Sequence, residues 1–442
     1  MLVATIISAC LTQCPVEVDI SATTPEGLSG TSVAVDGDLA VIGCPIGTGN
    51  GWASGTALVY RFINNIWVRE AELIAEDGAI GDMMGVSVDV SGGRVVAGAW
   101  FNNHAGTNSG AAYIFEQIDG KWLQTTKLIA DDASTQDSFG RRVAIEGDIC
   151  VVTAPLDDDN GESSGSAYVY QYDGSWSQLE KLSAGTSGDQ FGLGLALAMY
   201  GERIVIGAPW ASDGRGKSYI YDRGDATFFK SAILSDPEGE PMDSFGFGLA
   251  VDGDFVAAGS YLDDDVIEDG GSIFMFTKNG NEWELAQRIE PASDAIENNQ
   301  FGVSISIDNG VMLVGNRFAQ GTGSVSVFDL VDGLWGVRST IVSPQPTVDA
   351  EFGWAVSHDG EHALIGEPWL EPDGEAHFFK GFITSCDCVG DLNGDLIVGV
   401  SDLLQVIDVW GNCDGCSEDL DGDGFVDVSD LLQIISLWGG CV

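Results

Sequence analysis

The amino-acid sequence predicts a mainly β protein built from repeats, followed by a small helical domain. Two observations support this: seven segments share one pattern of short strands, and a second, shorter pattern is duplicated near the C-terminal end. Of the 442 residues, 44% are hydrophobic, which excludes a disordered acidic chain. The formal net charge of −50 argues against nucleic acid as a partner and favours divalent cations.

Each repeat opens at a Phe-Gly pair, or a variant of it, that leads into an alternating strand. The seven openings are Ser29-Gly30, Met84-Gly85, Phe139-Gly140, Phe191-Gly192, Phe245-Gly246, Phe301-Gly302 and Phe352-Gly353. A second apolar strand follows across a tight turn such as Asp36-Gly37, because glycine accepts the positive φ that a two-residue hairpin requires. The first half of every repeat is therefore expected to be a β-hairpin.

The second half of each repeat supplies two more strands. The third strand follows a loop, as in GTALVY (55–60) and GSAYVY (165–170). The fourth strand begins at an aromatic residue, which we expect to pack in the core, and these residues are Trp67, Trp122, Trp176, Phe229, Trp283 and Trp335. Four short strands per repeat are typical of propeller blades, so the sequence predicts a seven-bladed β-propeller over residues 14–383.

The seventh repeat has no fourth strand of its own. Residues 14–20 precede the first repeat and alternate between apolar and polar side chains, with Val16, Val18 and Ile20 on one face. We expect this strand to complete the last blade, because a closed ring leaves no free sheet edge between its first and last repeats.

The Phe-Gly openings and the ends of the second strands resemble FG-GAP repeats, the blades of integrin-α-type propellers. The matching ends are Gly43-Cys44-Pro45, Thr153-Ala154-Pro155 and Gly207-Ala208-Pro209. The resemblance implies a ligand-binding platform. Calcium-binding members of that family carry an Asp-rich loop between the first and second strands. Here that link is a two-residue turn, so we expect the propeller to lack integrin-type calcium sites.

Two acidic runs lie in loops between second and third strands. They are Asp157-Asp158-Asp159 and Asp263-Asp264-Asp265. Neither run has the alternating spacing of a cation-binding loop. We therefore interpret both as solvated acidic loops, with a cation site as the alternative.

Residues 386–442 contain two copies of a loop followed by a helix with an apolar face. DLNGD (391–395) recurs as DLDGD (419–423), and VSDLLQVIDVWG (400–411) recurs as VSDLLQIISLWG (428–439). Oxygen ligands stand at loop positions 1, 3, 5 and 12, with a backbone carbonyl at position 7, which suits Ca²⁺. The candidate ligands are Asp391, Asn393, Asp395, Ile397 and Asp402 in the first loop, and Asp419, Asp421, Asp423, Phe425, Asp427 and Asp430 in the second. The sequence therefore predicts two Ca²⁺ sites.

This loop–helix pair resembles a type I dockerin, a duplicated calcium-binding module related to the EF-hand. Aspartate at loop position 12 fits that family better than the glutamate of an ordinary EF-hand. The resemblance implies a small all-α, calcium-dependent domain. It also implies a cohesin-like or cell-surface protein as the partner of this tail.

Cysteines cluster near the C-terminal end, which fits an oxidising compartment. The duplication maps Cys388 onto Cys416 and Cys413 onto Cys441. A two-fold relation between the copies would then give a Cys388–Cys441 clasp and a bridge or close pair at Cys413 and Cys416. Cys14 and Cys386 occupy equivalent positions before the first and after the last blade, so a disulfide between them is a further hypothesis. Cys44 and Cys150 lie on predicted strands and are expected to be buried thiols.

The N-terminal segment, residues 1–10, has two interpretations. Its apolar run ends at Ile7-Ser8-Ala9-Cys10, which resembles the lipobox of bacterial lipoproteins. A lipid on Cys10 would then be the chain's only membrane attachment. The alternative is a truncated signal peptide. Both interpretations place the protein outside the cell or at its surface.

The sequence favours an exported binding protein without catalytic activity. The repeats occupy nearly all of residues 14–383 and leave no room for a catalytic domain, and no catalytic or organic cofactor-binding residue stands out. The propeller would bind a glycan or a protein, and the tail would dock or anchor the chain. Two alternatives stay open: an enzyme or binding component of a polysaccharide-degrading, cellulosome-like system, and integrin-like adhesion at a cell surface.

Overall fold

A computed structural model provides the structure of the chain. It describes residues 16–17, 27–183, 187–192, 196–291, 295–381, 397–398, 400–412, 420, 425–436 and 439–440. The chain divides into two compact units, and the first of them is Glu17–Phe379. The second unit includes residues 380–442.

The first unit consists of seven four-stranded sheets, numbered here as blades 1 to 7, so the predicted seven-bladed propeller is confirmed. The innermost strands are Ser32–Asp36, Val88–Ser91, Val143–Glu146, Leu197–Tyr200, Gly248–Asp252, Phe301–Asp308 and Ala355–His358. The second strands are Leu39–Cys44, Arg94–Ala99, Ile149–Ala154, Arg203–Ala208, Phe255–Ser260, Val311–Asn316 and His362–Glu367. The third strands are Thr56–Ile63, Ala111–Ile118, Ser166–Tyr172, Lys217–Arg223, Ser272–Asn279, Ser324–Val331 and Glu375–Lys380. The outermost strands of blades 1 to 6 are Ile66–Leu73, Lys121–Leu128, Trp176–Leu182, Phe228–Leu234, Glu282–Ile289 and Leu334–Val342.

Blade 7 takes its outermost strand from the start of the chain. Val16–Glu17 pairs beside Glu375–Lys380 in that sheet. These two residues lie within the segment 14–20 that the sequence assigned to this place. The rest of that segment lies outside the described residues.

The burial of the strands follows their position in the blade. Every residue of the second strand Leu39–Cys44 is buried, because neighbouring blades cover both of its faces. The outermost strand Lys121–Leu128 alternates between exposed and covered residues. Trp67 and Trp335 lie near the start of outermost strands and are buried in the core, as the sequence predicted. The prediction is wrong for Phe229, which is 53% exposed, because its neighbour Phe228 is buried in its place.

Paired glycines explain the sequence motif that opens and closes the hairpins at six of the seven seams; at the seam between blades 3 and 4, Gly192 meets Thr153 instead. A Cβ atom on Gly98, in the second strand of blade 2, would lie 2.0 Å from the carbonyl oxygen of Gly140, which opens blade 3. The same contact closes the ring, since a Cβ on Gly366 would lie 2.1 Å from the oxygen of Gly30. Only glycine permits this close approach of two backbones. The repeat spacing therefore reflects the seams between blades.

The two faces of the propeller differ in the length of their connections. The hairpin face carries the tight turns between first and second strands and between third and fourth strands. The loop face carries the longer links between second and third strands, which are residues 45–55, 100–110, 155–165, 209–216, 261–271, 317–323 and 368–374. A helical turn, Ala211–Gly214, and a 3₁₀ turn, Ala319–Gly321, lie in two of these links.

The second unit contains two helices, Val400–Asp408 and Val428–Ser436, that contact each other. Two-residue strands pair around them: Ile397–Val398 with Gly439–Gly440, and Gly411–Asn412 with Phe425–Val426. Among the described residues, no helix is long and apolar enough to span a membrane.

Part of the apolar face of each helix is exposed. Leu404 and Leu432, which occupy equivalent positions in the two copies, are 56% and 58% exposed. Asp402 and Val406 are buried instead, because residues four apart share one side of a helix.

Candidate functional site

The seven innermost strands surround an axial channel of about 440 Å³. Its wall is rich in carboxylates, and also carries one guanidinium and one imidazole. These residues are Asp36, Asp89, Arg142, Glu146, His358, Asp308 and Asp359. The sequence did not specify this channel.

Side chains of one blade hold the innermost strand of the next. The backbone N–H of Ile145 donates to Asp89 Oδ2 at 2.7 Å, and that of His358 donates to Ser306 Oγ at 3.2 Å. Across the ring closure, the N–H of Val35 donates to Ser357 Oγ at 3.1 Å. An innermost strand has no neighbour on its channel side, so these bonds satisfy N–H groups that a sheet edge would leave open.

Burial shifts two titrations in the channel wall in opposite directions. Burial raises the pKa of Asp89 to about 7, and the negative charges of Asp36 and Glu146 act in the same direction. Backbone N–H groups that donate to the carboxylate oppose this shift. Burial also lowers the pKa of His358 to about 4, with Asp359 opposing the shift. The folded protein therefore disfavours charge at both positions near neutral pH.

The acidic runs on the loop face are not simply solvated, so that interpretation is wrong for their first residues. Asp157 has only 4% of its side chain exposed. It accepts hydrogen bonds from the Tyr168 hydroxyl at 2.8 Å, the Ser166 hydroxyl at 3.0 Å and the Lys181 ammonium at 2.9 Å. Asp159 at the end of the same run is 60% exposed, as the solvated interpretation predicted.

The Lys181 ammonium lies where a bound cation would lie. Oxygens of Asp132, Asp157 and Asp159 are all within 4.8 Å of one another, a grouping that could hold a metal ion. The Lys181 Nζ is 2.7, 2.9 and 2.6 Å from these three carboxylates, respectively. Because of these hydrogen bonds, the pKa of Lys181 is raised in spite of burial. The protein itself thus supplies a cation to this cluster.

Blade 5 repeats this arrangement with arginine. The Arg288 guanidinium lies 2.9 Å from the buried Asp263, 2.7 Å from Asp265 and 2.7 Å from Glu290. Both acidic runs therefore begin with a buried carboxylate that is paired with a base on the outermost strand of the same blade.

In the second unit, the carboxylate at position 12 of the second loop is fully buried. Asp430 Oδ1 accepts a hydrogen bond from the N–H of Leu420 and Oδ2 accepts one from the N–H of Asp427, both at 2.8 Å. Asp427 itself accepts two hydrogen bonds from Ser429, which hold the pKa of that carboxyl below its usual range. Asp402, at position 12 of the first loop, is also fully buried. Two buried carboxylates at equivalent loop positions fit the donor set of a hard cation such as Ca²⁺.

The remaining predicted ligands are described only in part. Ile397 and Phe425 lie in two-residue strands, and the Phe425 side chain is 52% exposed. The other predicted calcium ligands lie outside the described residues; they are Asp391, Asn393, Asp395, Asp419, Asp421 and Asp423. The cysteines of the predicted disulfides and of the lipobox also lie outside them; they are Cys10, Cys14, Cys386, Cys388, Cys413, Cys416 and Cys441.

Cys44 and Cys150 are buried in the propeller, as the sequence predicted.

The sequence analysis missed three exposed tryptophans on the loop face. Trp52, Trp369 and Trp210 are 70%, 50% and 37% exposed, and each lies in a link between second and third strands. A large aromatic residue inside a Gly- and Asp-rich link was the available signal, because such a link offers no core for it.

Comparison with known proteins supports the repeat assignment. A family model described as FG-GAP repeat matches residues 67–115, 122–170, 176–221, 228–276 and 283–328, which together make up more than half of the chain. Each match runs from the outermost strand of one blade to the third strand of the next. No curated protein matches the chain.

Proposed function

Because the chain belongs to the FG-GAP repeat family, we propose that it is an exported, non-catalytic protein whose propeller binds a ligand on the loop face. Proteins with these repeats are typically extracellular or attached to the cell surface. The observation that carries the proposal is the exposure of Trp52, Trp210 and Trp369 on this face. Indole rings contribute large apolar contact areas to interfaces, and they are unfavourable in water unless a partner covers them.

The construction of the blades supports a rigid platform. Paired glycines join neighbouring blades, and hydrogen bonds from one innermost strand to the next surround the channel. Links of seven to eleven residues on the loop face can vary without disturbing these seams, and binding residues are commonly found on such loops.

A binding screen with the full chain tests this proposal. The protein would be tested in Ca²⁺ against arrayed polysaccharides and surface proteins. A triple variant, W52A/W210A/W369A, is expected to lose at least tenfold in affinity for whatever the wild type binds. A matched triple variant on the hairpin face, I63A/I118A/L334A, also removes exposed apolar side chains and is expected to bind normally. Loss of binding in the control alone would refute the assignment of the loop face.

We also propose that the tail binds two Ca²⁺ ions and docks or anchors the chain in a calcium-dependent way. Asp402 and Asp430 support this, because both are fully buried at position 12 of their loops, where a carboxylate can supply oxygen ligands to Ca²⁺. Calorimetric titration of the full chain with Ca²⁺ is expected to show two sites, and one site in the variant Asp430→Asn. Unchanged stoichiometry in that variant would contradict the assignment. Capture of a partner in Ca²⁺ but not in chelator would identify the docking role.

Polysaccharide binding is the second candidate function, and the exposed tryptophans favour it over protein adhesion. The flat face of an indole matches the apolar face of a sugar ring, and three separate tryptophans suit an extended chain of sugars. Binding to a soluble glucan or xylan in the same screen would support this candidate. Binding to surface proteins alone would favour integrin-like adhesion.

A further inference from the structure

One guanidinium on the loop face has no carboxylate beside it among the residues that the structure describes. Arg141 directly follows the Phe-Gly opening of blade 3, and its guanidinium carbon lies 4.8 Å from the ring centre of Trp100 in blade 2. Trp100 also stacks on Phe101, with ring centres 3.9 Å apart. The three side chains form a layered group at the loop-face end of the seam between blades 2 and 3.

Both nitrogens inside this group are hydrogen-bond donors without an acceptor. Arg141 Nε and Trp100 Nε1 are shielded from solvent, and neither finds a partner among the described residues. Burial lowers the pKa of Arg141 to about 10, and no carboxylate opposes the shift. Other buried indoles, such as those of Trp67 and Trp122, also leave Nε1 unpaired, but Arg141 carries a charge. A buried charged donor without an acceptor is the more unfavourable case, so Arg141 indicates a missing acceptor.

This isolation is unusual for the chain. Nine other arginines each lie within 3.9 Å of a carboxylate oxygen, as Arg94 does with Glu116 and Arg203 with Asp222. The chain has 68 acidic residues, so a partner for Arg141 would have been easy to supply. A guanidinium kept apart from them remains available to an anion from outside.

We propose that Arg141 and Trp100 form a binding site for a single carboxylate group on an otherwise neutral oligosaccharide. The planar guanidinium matches a carboxylate with two parallel hydrogen bonds. The exposed tryptophans of the same face would bind the neutral sugars, so this inference rests on the proposed function. The net charge of −50 repels polyanions, which limits the ligand to few carboxylates.

The neighbouring residue connects this site to the axial channel. Arg142 is buried in the channel wall, and its Nη1 donates to the carbonyl oxygen of Val86 at 3.2 Å. Two consecutive arginines therefore make the loop-face end of blade 3 locally positive, next to a channel lined with carboxylates. The site differs in charge from its surroundings, which gives selectivity for an acidic sugar.

Calorimetric titration of the full chain at 0.15 M salt tests the proposal with three matched disaccharides and one polyanion. The probes are cellobiouronic acid, which carries one carboxylate, neutral cellobiose, cellobiose 6-sulfate and polygalacturonate. The wild type is expected to bind cellobiouronic acid at least tenfold more tightly than the other three. Arg141→Gln is expected to abolish this preference, and Arg141→Lys to retain part of it because the charge remains.

The control variant is Arg215→Gln. Arg215 also lies on the loop face, its side chain is 44% exposed, and it contacts no aromatic ring among the described residues. This variant should keep the preference. Melting temperatures of all variants would verify that they fold.

Three results would overturn the proposal: no preference for cellobiouronic acid in the wild type, a preference that survives Arg141→Gln, or tighter binding of the sulfate or the polyanion. Equal binding of cellobiose and cellobiouronic acid, lost in the triple tryptophan variant, would refute this site while leaving the loop face as the binding face. Absence of any ligand in the binding screen would refute the proposed function itself.

Discussion

Replacing Lys181 by methionine removes the ammonium that three carboxylates share. Asp157 would remain 4% exposed without a cation, although Tyr168 and Ser166 still donate to it. Breaking a buried ion pair costs about 3–5 kcal/mol. We expect the lower end, about 3 kcal/mol, because Asp132 and Asp159 are 40% and 60% exposed and can turn to water.

This free energy converts into a measurable shift in melting temperature. A cooperative unit of about 360 residues has an unfolding entropy of ~0.8 kcal/mol/K, so a loss of ~3 kcal/mol lowers Tm by about 4 °C. Scanning calorimetry in chelator measures this shift. Lys121→Met, which replaces an exposed lysine on an outermost strand, is the matched control and should stay within about 1 °C.

Two further measurements make the reasoning refutable. The double variant K181M/D157N is expected to recover most of the lost stability, because the uncompensated buried charge is gone. Millimolar Ca²⁺ should raise the Tm of K181M more than that of the wild type, since the emptied cluster offers three carboxylates within 4.8 Å. A Tm of K181M equal to that of the wild type, or no recovery in the double variant, would show that the ammonium does not balance this cluster.

Three other perturbations follow from the contacts in the propeller. Gly98→Ala is expected to prevent folding or to lower Tm by more than about 10 °C, because its Cβ would lie 2.0 Å from the Gly140 oxygen. Gly120→Ala is the control: its Cβ would meet no atom within 4 Å, so only the backbone strain of ~1 kcal/mol remains. His358 is neutral in the folded state with a pKa of about 4, so the unfolded chain binds the proton first. The free energy of unfolding should therefore fall by up to about 3 kcal/mol between pH 6.5 and 4. Melting curves recorded over this pH range should show a smaller decrease in His358→Gln than in the wild type. Asp89 has the opposite sign: its folded pKa of about 7 lies above the ordinary value of about 4, so the folded state loses stability as the pH rises from about 4 to about 7. Asp89→Asn should therefore raise Tm at pH 8 and lose that gain as the pH falls to about 4.

Features that repeat along the chain could be predicted from the sequence. Alternating strands, Phe-Gly openings and the missing seventh outer strand all follow from local pattern, and they define the blades. Contacts between distant residues could not. The local sequence of Asp157–Asp159 does not indicate whether these side chains are solvated or paired, because the cation that pairs with Asp157 is Lys181, 24 residues further along the chain on another strand. Arg141 and Trp100 meet only because a glycine seam brings blade 3 against blade 2.

The hydrogen bonds around the channel give the ring a direction. Asp89 of blade 2 accepts from blade 3, Ser306 of blade 6 from blade 7, and Ser357 of blade 7 from blade 1. At these three seams each blade carries the acceptor for the next one, a head-to-tail interface of the kind that closes into rings. A tandem duplication of one repeat would arrive with both halves of its interface already present. The number of blades is then limited by how many such units fit around one axis. Gene duplication can therefore add a blade to this architecture without a new interface.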